Sequence, residues 1–368
     1  MRFILALTAL LLGLAGPLQA QSSPAWSRSK ERITVTRAGI SFPIRAGTLS
    51  VTETKEFSHQ GESLDIIAQY RSSDQEVLAT VYVYYPGIAH AGLAALATDE
   101  AIRLNSSNPP GSTGPKLTAA AGKQAVGIRT DYTRYRGDWA SSAAFIKAGR
   151  WIVKLRVSGP EARADEVKAA MSDLLAKTRF EGAATPRPAA ILTPAACPDD
   201  RSADAALVAD DPAGNGAVAI MISAFDPVAP SATDRDSGTK KDLPSRIGEQ
   251  WCRSVVQVGQ SKVPLLRATD PQNDKAIEGK SMLLALYSDA GGLLEVVRLR
   301  KAGRYLLMNH QIGATSVLGT FAAMPSDRQI AEILAGRGDA GRIRSRINLK
   351  SDGSVDVEVE SPPVSPTT

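Results

Sequence analysis

Apolar and polar positions follow two periods along this chain. A period of two, which marks a half-buried strand, runs through 64–70 and 77–85. It returns in 125–135, 139–146 and 150–157, and shorter traces lie at 33–35, 40–44 and 48–54. A period near 3.6 marks two helices. One covers 91–103, with Leu93, Leu96, Ala97 and Ala101 near one face. The other covers 161–178, with the stripe Val167, Ala170, Met171, Leu174 and Leu175. In the second half, 205–209 and 217–225 read as a hairpin around 210–216. The segment 246–258 reads as a helix with Ile247, Trp251, Val255 and Val258 on one side. Strands follow at 263–267, 281–287, 293–300 and 305–310, then a helix at 327–335. Ser326 and Gln329 form a capping box for that helix, satisfying its first exposed backbone N–H groups. Finally, 342–350 and 355–359 alternate on either side of Asp352-Gly353, a strong turn signal. A loop at 352–354 would set Leu349 opposite Val357, Ile347 opposite Val359, Lys350 opposite Asp356 and Arg346 opposite Glu360.

A short token recurs. Lys147-Ala148-Gly149-Arg150-Trp151-Ile152-Val153 corresponds to Lys301-Ala302-Gly303-Arg304-Tyr305-Leu306-Leu307, and a helix follows each copy. Token and element order together predict an α+β chain of two similar antiparallel-sheet domains, each with an inserted helix and a C-terminal helix. The apolar faces disagree, however. Ile146, Trp151, Val153 and Leu155 share a face in the first copy, whereas Val297, Leu299, Leu306 and Met308 take the opposite one in the second. Either the two loops differ, or the sheets are covered on both sides. The element order resembles the PsbP-like fold, an α/β/α sandwich found in extrinsic subunits of photosystem II and bacterial relatives, over most of 33–180 and loosely over 205–335. That resemblance implies accessory and binding roles.

Composition sets the domain plan. Residues 181–200 are rich in Ala and Pro and read as a linker between a first domain at 30–180 and a second at 201–336. Within the second, 226–244 is polar and reads as a mobile insertion. The hairpin occupies 337–360, and 361–368 is a disordered tail. At the N-terminus Arg2 precedes the apolar run 3–14 and small residues up to Ala20, the three-part layout of a secretory signal at 1–20. The run is too short for a membrane span of about 20 residues. The expected location is periplasmic or secreted, with a mature chain starting near Gln21. N-terminal sequencing of the exported protein should find that residue, and Met1 retained in a membrane fraction would contradict it. No transmembrane segment is expected after cleavage. In such a compartment Cys197 and Cys252, the two cysteines of the chain, are expected to be bridged.

A formal charge of +5 is too mild and too dispersed for a nucleic-acid binder, but it favours anionic surfaces. The expected partner is an anionic envelope component or a protein. Chemistry is sparse. His59 and His90 read as solvated and His310 as packed. No residue set has metal-ligand spacing, so no metal and no cofactor is expected. Asp234 to Gly238 opens like a calcium loop but lacks the distal ligands of one. No nucleophile motif is present, so no catalytic residue is assigned. One cluster combines bases with an aromatic: Tyr132, Arg134 and Arg136 along one strand, and Arg150, Lys154 and Arg156 along another. Were those strands neighbours, the six would form a patch for phosphate or carboxylate. The function expected is that of a non-catalytic exported accessory or binding protein. The alternatives are a periplasmic hydrolase without a recognisable motif and an envelope structural protein held on anionic lipid or glycan.

Overall fold

The computed structural model describes residues 25–58, 62–182, 184–198, 203–208, 250–269, 280–300, 302–350 and 354–359. The signal segment, His59, the 210–225 part of the expected hairpin, the 226–244 insertion, the Asp352-Gly353 turn and the 361–368 tail lie outside these residues.

In chain order the elements are β1 (Trp26–Arg28), β2 (Arg32–Val35), β3 (Ile40–Pro43), β4 (Arg45–Ala46), β5 (Leu49–Glu56), β6 (Asp65–Arg71), β7 (Leu78–Tyr84), α1 (Ala91–Leu104), β8 (Gly111–Ser112), β9 (Lys116–Ala120), β10 (Lys123–Tyr135), β11 (Trp139–Ala148), β12 (Trp151–Pro160), α2 (Ala164–Lys177), β13 (Arg179–Phe180), β14 (Ala195–Ala196), β15 (Trp251–Val258), β16 (Ser261–Ala268), β17 (Ser281–Ala285), β18 (Leu293–Leu299), β19 (Arg304–Gln311), β20 (Ala314–Phe321), α3 (Asp327–Leu334), β21 (Ser345–Leu349) and β22 (Val355–Val359). The protein is α+β and rich in sheet. A small sheet has the order β1-β2-β3-β13. A first large sheet runs β4-β5-β6-β7-β12-β11-β10-β8, with β9 also paired to β10. A second large sheet is sequential from β14 to β22.

The layers follow from which faces are apolar. The α2 stripe Val167, Ala170, Met171, Leu174 and Leu175 is fully buried. It packs with Ile146, Val153 and Leu155 of the first large sheet and with Ile33, Ile40 and Phe42 of the small one. The opposite face of the first large sheet carries Ile128, Tyr132 and Phe145 against Ala91 and Ala95 of α1. The other side of α1 presents Leu93 and Ala97 to Leu266, Leu284 and Leu293 of the second large sheet. That sheet's far face packs Leu294, Val296 and Leu307 on Ile330 and Ile333 of α3. Both large sheets are therefore covered on both sides, and the alanine-rich α1 is the shared middle layer.

This resolves the mismatch of faces. Val153 and Leu307, equivalent in the token, both face the following helix, and Ile152 and Leu306 both face the other way. The loops also differ. Ala148 pairs Trp151 across Gly149-Arg150, whereas Leu299 pairs Arg304 across a longer turn.

The expected helix at 246–258 is not found, and 251–258 is strand β15. Trp251, Val255 and Val258 fit a helical stripe, but Val255, Val256 and Val258 are β-branched and lose χ1 freedom in a helix. Pairing of the whole strand with β16 settles the conflict. Among the described residues the second half thus shows no inserted helix. Strand β20 was also not expected from the sequence. The capping box at Ser326 and Gln329 is present.

The pairing of β21 with β22 sets Ile347 opposite Val357, Asn348 opposite Asp356 and Arg346 opposite Glu358, two residues away from the register expected. The backbone N–H of Lys350 donates to Ser354 O, next to that pairing. Apolar residues still meet apolar ones because a shift of two preserves the faces.

The Ala/Pro segment does not hang free. Ala189 N–H donates to Ala125 O, Leu192 packs beside α1, and a Cβ on Gly92 would lie 2.3 Å from Ala190 O. Only glycine lets α1 approach that chain. The segment ends in Cys197, which is disulfide-bonded to Cys252 where β14 pairs β15 in parallel.

Candidate functional site

The six residues expected to form a patch do not form one. β11 lies between β10 and β12. The alternation of β10 breaks at a bulge after Tyr132, where Arg134 and Arg136 take positive φ. Arg134 is exposed, and its backbone N–H donates to Glu161. Arg136 lies over the Tyr135 ring at 5.3 Å. Arg150, at the opposite end of β12, lies over Tyr85 at 5.0 Å. Tyr132, Lys154 and Arg156 do share the α1 face. Tyr132 is buried and donates to Asp99, and Arg156 stacks 4.5 Å above Tyr135.

Lys154 is 4% exposed and holds Asp289 of the second half at 2.7 Å, between the rings of Tyr82 and Phe145. Burial lowers its pKa against the opposing pull of Asp289. Burial would raise the Asp289 carboxyl, but Lys154 outweighs it and holds the group below its ordinary value. Lys154 is thus committed to joining the two halves. Arg253 and Glu100 form a second such bridge.

A buried polar chain lies on the middle-layer face of the second large sheet. Thr315 Oγ1 meets His310 Nδ1 at 2.9 Å, and His310 Nε2 meets Glu295 Oε2 at 2.7 Å. Ser281 donates to the other oxygen of Glu295. A ring that donates from Nε2 to the carboxylate and accepts at Nδ1 from the hydroxyl satisfies every member. Hydroxyl, imidazole and carboxylate stand in the order of a hydrolytic triad. Yet Ser281, Glu295 and His310 are 0% exposed and Thr315 5%, and Gly87 of the first half lies directly over the ring. No substrate reaches this chain of bonds, and its role is in packing. His90 is not simply solvated either: its Nδ1 accepts from Leu93 N and caps α1.

A cleft with polar character opens elsewhere among the described residues, along the seam between the halves. Its volume is about 410 Å³, within the roughly 300–1,000 Å³ usual for small-ligand sites. The first half contributes Phe57, Glu62 and Asp65, and the second contributes the β19–β20 turn with Arg346, Lys350 and Asp356. Arg37 fastens the two halves beside it, donating to the backbone oxygens of both Glu62 and Lys350.

Most of the cleft's charges are paired. Lys350 meets Asp356 at 3.3 Å, Asn348 donates to Glu358 at 3.0 Å, and Glu62 faces Arg37 at 3.9 Å. The side chains of Asp65 and Arg346 have no hydrogen-bond or ion-pair partner among the described residues. Burial raises the Asp65 carboxyl above its ordinary value. Nothing in the sequence singles out either residue, because each becomes notable only through what the other half brings near it.

The raised carboxyl has a consequence for stability. A carboxyl whose folded pKa exceeds its unfolded value destabilises the fold once it ionises. Wild type should therefore lose stability relative to Asp65→Asn as pH rises from about 3 to about 7. Thermal melts of both proteins across that range check this, and a difference that is flat or of opposite sign would contradict it.

Among the described residues no group of three or more His, Cys, Asp or Glu side chains is placed to hold a metal ion, and no helix is long and apolar enough to cross a membrane. No family model matches the chain, and no curated protein matches it. Among solved structures, the chain is similar to the solution structure of cyanobacterial PsbP (CyanoP) from Synechocystis sp. PCC 6803, at 12% identity and a TM-score of 0.31, over 46% of this chain and 100% of that one. A score that low carries no weight, and the fold rests on the strand orders described above.

Proposed function

We propose that this chain is a non-catalytic binding protein of the cell envelope, exported and bridged by its disulfide, whose ligand sits in the cleft along the seam. One observation carries the reading. The cleft is walled by both halves and holds two charged side chains without partners among the described residues, the kind of placed polar group that orients a ligand. The six residues of the expected cationic patch lend no support, since they are scattered and Lys154 is paired with Asp289. Export draws support from the apolar run at 3–14 and from the bonded cysteines in an oxidising setting. On this reading the token reflects an old duplication in which the hairpin and the helix after it kept their facing. The likeness in element order to PsbP-like proteins belongs to the same proposal, as does an accessory role.

Native mass spectrometry of the protein purified from its own envelope fraction tests the reading. Wild type should carry a small molecule that Ala314→Trp, which fills the cleft, does not. Equal occupancy of both proteins, or an empty wild type, would overturn it.

A further inference from the structure

The two charges without partners among the described residues differ in sign and in origin. Asp65 begins β6 of the first half, and Arg346 lies on β21 of the second. Both line the same cleft. A purely cationic ligand would answer Asp65 and leave Arg346 desolvated without a partner, and a purely anionic one would do the reverse. Either failure is costly, because an unpaired charge taken out of water loses its hydration. A ligand carrying both charges answers both groups. Phe57, 58% exposed, lines the cleft and offers apolar contact to a side chain on such a ligand.

Resting on the binding reading above, we propose that the cleft recognises a zwitterion with an ammonium and a carboxylate, a free amino acid or a short peptide. The ammonium lies at Asp65 and donates to its carboxylate. The ligand carboxylate lies at Arg346, whose guanidinium donates two parallel hydrogen bonds. The remaining charges of the cleft stay in their existing pairs and set its shape. Recognition then depends on the two halves staying in register, which the Lys154–Asp289 bridge and the Arg37 fastening maintain.

Titration calorimetry with four probes tests this: L-phenylalanine, the tripeptide Ala-Phe-Ala, its N-acetyl form and its C-terminal amide. Preference between the first two tells the free amino acid from the peptide. Wild type should bind at least one of them. Acetylating the tripeptide amine should weaken binding about ten- to hundred-fold, the range for a hydrogen bond to a charged group. That penalty should vanish in Asp65→Asn. Amidating the carboxylate should weaken binding similarly, and this second penalty should vanish in Arg346→Gln. The loss must not come from unfolding, so each variant is required to melt within a few degrees of wild type. The inference is overturned if neither zwitterion binds, or if the caps cost the same in wild type and variants. Capped and free probes that bind wild type alike but not Ala314→Trp would sink the zwitterion and leave the cleft reading standing. Binding undiminished in Ala314→Trp would sink both.

Discussion

His310→Ala should destabilise the protein by about 3–5 kcal/mol, the sum of a buried carboxylate left without its donor and the cavity left by the ring. The ring is 0% exposed and bonded at both nitrogens. Its removal leaves the Glu295 carboxylate, itself 0% exposed, without its histidine donor in a region that water does not reach. It also opens a hole under Gly87, at the contact between the halves. The same contact makes a second variant informative. A Cβ on Gly87 would stand 2.4 Å from His310 Nδ1, and the ring is pinned by its two bonds. Gly87→Ala should therefore cost about 1–3 kcal/mol through overpacking. Urea unfolding measures both. A loss under about 1 kcal/mol for His310→Ala would show that the polar chain is not closed as described.

The double variant Cys197→Ser, Cys252→Ser is expected to lose about 4 kcal/mol in the chain-entropy model, because the bridge spans 55 positions. The loss has a structural side too. The bond fixes the end of the segment that crosses α1 to β15 of the second large sheet. Without it, the Ala189 hydrogen bond, the packing of Leu192 and the strand pairing keep the segment in place. Denaturant unfolding with and without reductant measures the effect. Unreduced wild type, denatured and exposed to a thiol label, should take up none. Two labelled thiols per chain, or identical unfolding midpoints with and without reductant, would contradict the expectation.

Much of the sheet structure was legible because alternation is a local signal. The strands around the Lys147 token and the α2 stripe needed only their own residues. The segment 251–258 reads as a helix from sequence because its apolar spacing satisfies both periods, and pairing with β16 breaks the tie. Strand β20 is hard to see in the sequence because Ala, Thr, Ser and Gly give it little apolar contrast, although nearly all of it is buried in the second large sheet. The register of the last hairpin depended on a turn whose length sequence does not dictate. The site was hardly legible at all. Lys154 looked like a free cation because its partner lies 135 positions away. Asp65 and Arg346 belong to different halves, and no short motif links them. What local patterns can show is which residues face inward, and the cleft depends on which half faces which.

The central claim is that the seam cleft is where a ligand binds. Hydrogen exchange compares protein purified natively with the same protein unfolded in urea, dialysed free of small molecules and refolded. Slower exchange in the native sample, confined to amides of 62–65, 312–314 and 346–350, is the predicted result. Identical exchange at those amides, or protection centred instead on the turn carrying Arg134 and Arg136, would contradict the account.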